Sequence, residues 1–557
     1  MRPMNAIFRS SSVPAPLALA CALLLGGCAV GPDYQRPDAP AAPAFKEAPA
    51  DSAQWGEWKP AEPQDASARG RWWAIFGDAD LDALMSQVQI SNQNIKAAEA
   101  QYRQAQALLQ SARAGYYPTV GASASAGRSS SGTTTTGAAR IANSQGASLT
   151  ASWEPDLWGK VRRQVESSEA SAQASEATLA STLLSTQATL AQTYFLLRIT
   201  DQQRALLERT VADYTRSLQL VRNQYAVGTA QRSDVLQSET QLKSAQAQQI
   251  DIQITRAQYE HAIAILIGQA PASFSVAAHD FASRVPRVPA ALPSALLERR
   301  PDIAAAERQM AASNAQIGVA QAAFYPTLSL SASGGLSAAT LARWLALPDR
   351  VWSIGPALAG TLFDGGLRSA AKAQAVAAYD QSVAEYRQTV LAAFQEIEDN
   401  LAAARLLEQE AVVQDDALRS AREALALVNN RYRAGTAALL DVLTAQTTAY
   451  QAEVTALSIY GRQFTASVVL MRALGGGWHV EGGDVARGGQ PGAAAPAAPA
   501  MNAAEATPAA VPAWTPLSAP AAANLARAPA APAPAGGRTG TPVQAIAEET
   551  PGSTRAR

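Results

Sequence analysis

Cysteine is nearly absent. The only two, Cys21 and Cys28, fall close to the start of 557 residues, which excludes a disulfide framework or a cysteine metal site from the rest of the chain. Histidine is equally scarce: His261, His279 and His479 are scattered, and "YEHAIA" lacks the HExxH spacing that a zinc hydrolase needs. There is no surplus of basic charge, with 45 Lys and Arg against 46 Asp and Glu, so nucleic acid is not expected as a partner. "FDGG" lies outside any phosphate-loop context and reads as a corner between strand and helix. The residues give no catalytic constellation, metal site or cofactor pocket. Aromatics are only 6% while hydrophobic residues reach 48%, largely through Ala, a composition suited to long and closely packed helices.

The start reads as an address. Arg2 and Arg9 precede the short apolar run "VPAPLALACALLLGGC", the pattern of a secretory signal over residues 1–27 rather than a membrane-spanning helix. "LGGC" resembles a bacterial lipobox, which implies Cys28 as the lipidated first residue of the mature chain. Ala29 in place of Asp then implies sorting to the outer membrane, and several acyl chains would anchor durably.

The chain then writes one plan twice. Residues 28–77, rich in Pro, Ala and Trp, read as an extended arm. Repeat 1 covers 78–272: a helix from Asp78 to Tyr116 stopped by "GYYPT", strands "TVGASASAG" and "SQGASLTASWE" around "GRSSSGTTTTG", a long helix from Gly159 to Val227, and another from Gln231 to Gly268. A linker spans 273–293. Repeat 2 covers 294–475 with a helix to Phe324, the stop "FYPT", strands "TLSLSASGG" and "SIGPALAGTLF", a long helix from Gly366 to Arg433, and a last helix to Leu474. "NQYAVGTAQRSDVL" at Asn223 and "NRYRAGTAALLDVL" at Asn430 share eight of fourteen residues, where chance gives roughly one. Residues 476–557 form an Ala/Pro/Gly-rich tail read as disordered.

Each long helix would reach roughly 100 Å, and the two shorter helices of its half, stacked end to end, match it. Leu207, Val211, Tyr214, Leu218, Val221 and Tyr225 step by four and three, as do Leu418, Ala421, Leu425, Val428 and Tyr432, giving coiled-coil seams. Thr186, Thr193, Thr200 and Arg204 in the same phase suggest a wetter second face. In the strands, Val120, Ala122 and Ala124 alternate with Gly121, Ser123 and Ser125, and Leu328, Leu330 and Ala332 alternate with Ser329, Ser331 and Ser333. Tyr116, Tyr117, Phe324, Tyr325, Trp153, Trp352 and Phe363 mark segment ends, as an interfacial girdle would. Four strands cannot close a barrel and open edges are too costly in lipid, so several copies are required; an aqueous passage needs more than eight strands, and three chains giving twelve are the smallest solution.

These residues resemble the TolC-type outer membrane factors of tripartite efflux systems, in their NodT lipoprotein branch. The resemblance covers about 28–475 and rests on "CAVGPDYQRP" at Cys28, "WWAIFGDADLDAL" at Trp72, "ERRPDIAAAERQ" at Glu298, both "YPT" stops, "LFDGG" at Leu362, both "GT" turns and "ALGGGW" at Ala473. It implies a mainly α chain with a membrane β-barrel: a homotrimer whose 12-stranded outer-membrane barrel continues into a periplasmic α-helical tunnel. Its inner end would meet a periplasmic membrane-fusion adaptor and, through it, an inner-membrane RND-type transporter. The "GT" turns become adaptor-binding tips, with Val227, Gly228, Thr229, Gly435 and Thr436 as contacts; Gly228 and Gly435 supply positive φ and the threonines cap the next helix. Asp441 matches a gate aspartate of the tip, with Leu440 and Tyr432 beside it and Asp234 as its repeat counterpart. Ala437 and Thr444 replace a gate arginine and a second aspartate of some relatives. The implied activity is passive export of small hydrophobic or amphiphilic compounds in multidrug efflux. A type I protein-secretion duct and a structural lipoprotein spacer between membranes remain as alternatives.

Overall fold

The structure, a computed structural model, describes residues 30–39, 45–47, 70–131, 140–279, 281, 285–286, 300–338 and 350–476. These belong to one compact unit ending at Gly483; the second unit, 484–557, the signal segment with Cys28, most of the linker and the tail lie outside the described residues.

A 3-10 turn, Trp72–Phe76, precedes helices α1 (Ala79–Ser91) and α2 (Gln93–Ala114), strands β1 (Thr119–Ser131) and β2 (Arg140–Trp153), and helices α3 (Lys160–Ala226) and α4 (Arg232–Leu266). The second half gives α5 (Pro301–Ala322), β3 (Thr327–Ala338), β4 (Arg350–Ala359), α6 (Leu367–Arg433) and α7 (Leu439–Ala473). The two long helices, α3 and α6, have 67 residues each, roughly 100 Å of helix.

Beside each of them the shorter helices stack end to end. Asn92 Nδ2 donates to the Leu266 carbonyl at 2.7 Å, joining the start of α2 to the end of α4. A Cβ on Gly268 would meet the Ser91 carbonyl oxygen at 2.2 Å, so the junction requires the bare backbone of glycine. In the second half Arg300 Nη1 reaches the Ala473 carbonyl, joining α5 to α7.

The expected first helix, arm and last strand need correction. The single helix expected from Asp78 to Tyr116 breaks at Asn92, whose extended backbone (ψ 126°) lets its side chain accept the N–H groups of Asn94 and Ile95. Capping starts a new helix there, and α1 turns Leu81, Leu84, Met85 and Val88 into the core instead. The arm is not extended throughout, since Trp72, Trp73 and Phe76 fold into the buried 3-10 turn. Strand β4 occupies Arg350–Ala359 rather than Ser353–Phe363, and Phe363 lies outside it, 89% exposed.

The main core surrounds Phe195, fully buried against Phe76, Phe464 and Phe281 with centroids 4.8, 4.5 and 5.9 Å away. A partly buried ion network borders it. Arg198 binds Asp80 and the Ala277 carbonyl, both at 2.7 Å, and Arg256 holds Asp201 at 2.7 Å and the Val276 carbonyl at 2.6 Å. Without these partners two guanidiniums would be desolvated at high cost. The expected wet seam is dry in part: Thr186 and Thr200 are buried, each donating its hydroxyl to the carbonyl four residues earlier. Tyr225, assigned to the coiled-coil seam, is exposed, whereas Leu207, Tyr214, Leu218 and Val221 are buried.

Candidate conduit wall and tip

The four strands form an antiparallel meander, β1-β2-β3-β4. Register sets one face from Val120, Ala151, Ala332 and Ile354, and the same rows contain Leu149, Trp153, Leu328 and Leu358. This apolar face is open, with Val120, Leu149, Ile354 and Leu358 all more than half exposed. The other face is a field of small hydroxyls in which Ser123 pairs with Ser148 and Ser333 with Ser353, each at 2.9 Å. Inverted polarity of this kind destabilises a sheet in water and suits one with lipid outside and water inside. The strands β1 and β4 carry no further strand, so the sheet has two free edges among the described residues.

Aromatics collect where strands meet helices. Trp153 Nε1 donates to the Tyr116 carbonyl at 3.0 Å, Trp158 Nε1 donates to the Pro326 carbonyl at 2.7 Å, and the Trp158 ring stacks on Tyr325. Trp352 instead occupies the far end of the sheet, opposite Gly334. The arm starts at this junction, with Val30 N–H bonded to the Trp158 carbonyl at 3.1 Å. From there Arg163 holds Asp33 at 2.7 Å, Tyr34 bonds Glu307, Arg36 bonds the Tyr386 hydroxyl, and Lys46 N–H reaches Glu398, so the arm descends along α5 and α6. Gly318 leaves the space: a Cβ there would lie 2.7 Å from Arg163 Cγ.

At the opposite end the two "GT" turns share one hydrogen-bonding pattern. Gly228 and Gly435 have φ of 78° and 75°, as expected. Gly228 N–H bonds the Tyr225 carbonyl and Thr229 N–H the Gln224 carbonyl; Gly435 and Thr436 repeat this with Tyr432 and Arg431. These are paired C-terminal caps of the long helices. The threonines depart from expectation: Thr229 Oγ1 donates back to Gln224 and Thr436 Oγ1 to Arg431, so neither caps the next helix. A hydroxyl can donate to the open carbonyls behind it as readily as accept ahead, and the turn presents the carbonyls first. The acids fill the forward role. Asp234 Oδ2 accepts the Gln231 N–H at 3.0 Å and Asp441 Oδ2 the Ala438 N–H at 3.1 Å, placing both carboxylates in first turns where the helix dipole favours them.

The structure brings the two turns together. Tyr432 donates its hydroxyl to Gln224 Oε1 at 2.7 Å, above a small cluster of Val221, Leu439 and Leu443. Burial pushes the Tyr432 phenol upward and the nearby Asp234 carboxylate adds to the shift, so the phenol stays protonated as the donor to Gln224. Gln224 and Leu439 were not singled out in the sequence: at Gln224 the second repeat carries Arg431, so the bond is private to one copy. Val227 and Leu440 are 74% and 60% exposed, and Asp441 is exposed with them. Cys28 lies outside the described residues. No helix among the described residues is long and apolar enough to cross a membrane, and no group of acids and histidines there is placed to hold a metal.

A duplicated pair of long helical hairpins carrying a sheet with its apolar face outward defines an outer-membrane channel component. The outer membrane efflux protein family matches residues 84–269 and 292–476, and the chain belongs to it. It is similar to the toluene efflux pump outer membrane protein TtgC of Pseudomonas putida, 32% identical over 83% of this chain and 95% of that protein. It is also similar to the pyoverdine export outer membrane protein OpmQ of Pseudomonas aeruginosa, at 34% identity over 85% of this chain and 98% of the relative. The solved outer-membrane channel OprN superimposes with a TM-score of 0.73 at 31% identity, across 81% of this chain and all of the other. The protein is thus an outer-membrane efflux component with periplasmic helices.

Proposed function

We propose that three copies join β1 to β4 around a twelve-stranded barrel, and that the resulting duct passively exports small hydrophobic or amphiphilic compounds. The observation that carries this is the sheet itself: hydroxyls inside, bare apolar rows outside, and two free edges that lipid does not tolerate. A spacer between membranes has no use for such a sheet. The cargoes in the relatives' names, toluene and pyoverdine, are small molecules, which favours efflux over protein secretion.

Cys28 is the lipid-attachment residue in this reading; Val30, the first described residue of the arm, bonds the Trp158 carbonyl beside the aromatic junction.

At the tip, Val227, Gly228, Thr229, Gly435 and Thr436 form the surface offered to a periplasmic adaptor, which links the duct to an inner-membrane RND-type transporter. Asp441 engages one carboxylate oxygen in its helix cap, and three such carboxylates around an axis repel one another and attract cations. Leu440 narrows the same ring. Tyr432 closes it indirectly, by tying α6 to α3 through Gln224. Asp234, in the first repeat, serves its helix start.

Purified protein in planar bilayers tests the reading. Small, rare openings in the native chain and larger ones in Asp441→Ala, with reduced cation preference, are expected. Absence of any conductance, even with loosened tips, would remove export from consideration.

A further inference from the structure

The four strands contain three charged residues, all arginines: Arg128 in β1, Arg140 opening β2 and Arg350 opening β4. All three lie toward the hairpin ends, away from the helices. Arg128 continues the row of Val120, Ala122 and Ala124, and Arg350 continues that of Trp352, Ile354 and Leu358, so both stand on the apolar, lipid-facing side. Both are exposed, and neither makes an ion pair or hydrogen bond with another described residue. At the helix-proximal rim, by contrast, Glu154 pairs with Lys160 and Asp364 with Arg368. Among the described strand residues, the charges on the lipid-facing side therefore both lie at the distal rim, which faces the outer leaflet.

These arginines sit on opposite edges of the sheet. Closure by copies, on which this inference rests, sets β4 of one protomer beside β1 of the next and brings Arg350 and Arg128 to one seam. A guanidinium on a lipid-facing strand is tolerated only near headgroups, where its planar fork matches phosphate oxygens bidentately. Trp352, 79% exposed and paired with Gly334 of β3, supplies an interfacial aromatic at the same rim. Asn143 faces Arg128 across the β1–β2 ladder and adds an amide for a neighbouring hydroxyl. The apolar rows below would receive acyl chains.

We propose that Arg128 and Arg350, paired across each protomer seam, bind the phosphate of an anionic outer-leaflet glycolipid. A free anion lacks the acyl chains that this rim addresses, so lipid phosphate is the occupant inferred.

The test uses the intact assembly in phosphatidylcholine nanodiscs doped with bisphosphorylated lipid A or its dephosphorylated form, with bound lipid counted by native mass spectrometry. Up to three phosphorylated lipids per trimer are expected. The variant Arg128→Gln/Arg350→Gln should retain them about tenfold less well for each arginine lost, and the double Lys variant should recover part of the binding. Trimer mass and conductance should remain as in the native chain. Equal retention of the dephosphorylated lipid, indifference to both substitutions, or full displacement by millimolar inorganic phosphate would overturn the site. A failure of the native chain to form trimers would instead overturn the closure beneath it, and would be seen in the same spectra.

Discussion

Two adjacent residues of β2 should respond oppositely to one substitution. Leu149 faces outward, 61% exposed, and pairs with Ala122 and Gly334; Ser148 faces inward and bonds Ser123 at 2.9 Å. An arginine on the lipid face near the middle of a membrane strand costs about 2–4 kcal/mol. Since every barrel would contain three copies, Leu149→Arg accumulates roughly 6–12 kcal/mol, and even the smallest single term lowers insertion about 30-fold. Ser148→Arg loses one neutral hydrogen bond, about 1 kcal/mol, and its charge stays in water. Refolding from urea into liposomes, scored by the heat-sensitive mobility of the assembled protein, should show failure for Leu149→Arg and near-native yield for Ser148→Arg. Equal yields, or the reverse order, would refute the assignment of the two faces.

At the tip, Tyr432→Phe keeps the ring and removes only its bond to Gln224, so opening should rise about fivefold for one link and roughly a hundredfold if three release together; single-channel recording checks this. Gly228→Ala meets no steric neighbour but must hold φ of 78°, so it should cost about 1–2 kcal/mol and speed hydrogen exchange at that tip alone. Glu260 titrates low: burial alone would raise it, but the Val276 N–H, the Ser275 hydroxyl and Arg256 outweigh that. Its folded-state value thus lies below the unfolded one, and its stabilisation is full above the ordinary carboxyl range and lost as pH falls through the lowered value. Thermal melts of Glu260→Gln should be depressed at pH 7 and converge on the native chain in acid. Cys28→Ser should abolish metabolic labelling by palmitate while leaving the sheet able to insert.

Repetition made the tip legible in sequence, because a residue needed twice at one place in a turn is written twice. The positive φ of Gly228 and Gly435 followed from that. The threonine caps did not, since Thr can serve the helix behind or the helix ahead and only the backbone path decides. The strands were legible through period-two alternation, and their pairing order followed the chain. The break at Asn92 stayed hidden because the apolar period runs on from Val88 to Ile95 and Ala98, while the partner that holds Asn92 open, the Leu266 carbonyl, is 174 residues away. The path of the arm was invisible for the same reason: Arg36 and Lys46 meet α6 some 350 residues later, and no local pattern encodes such contacts. The Tyr432–Gln224 bond was concealed by the duplication that exposed the turns, since it joins positions that are not equivalent.

The most direct measurement is the mass of the conducting species, taken by native mass spectrometry on protein extracted in its own lipid and matched to conductance in the same preparation. Three chains per channel are expected, with no conductance from any smaller species. A folded single chain, stable in lipid with its four strands unpaired at both edges, would contradict the closure from which the lumen, the tip ring and the lipid seam all follow.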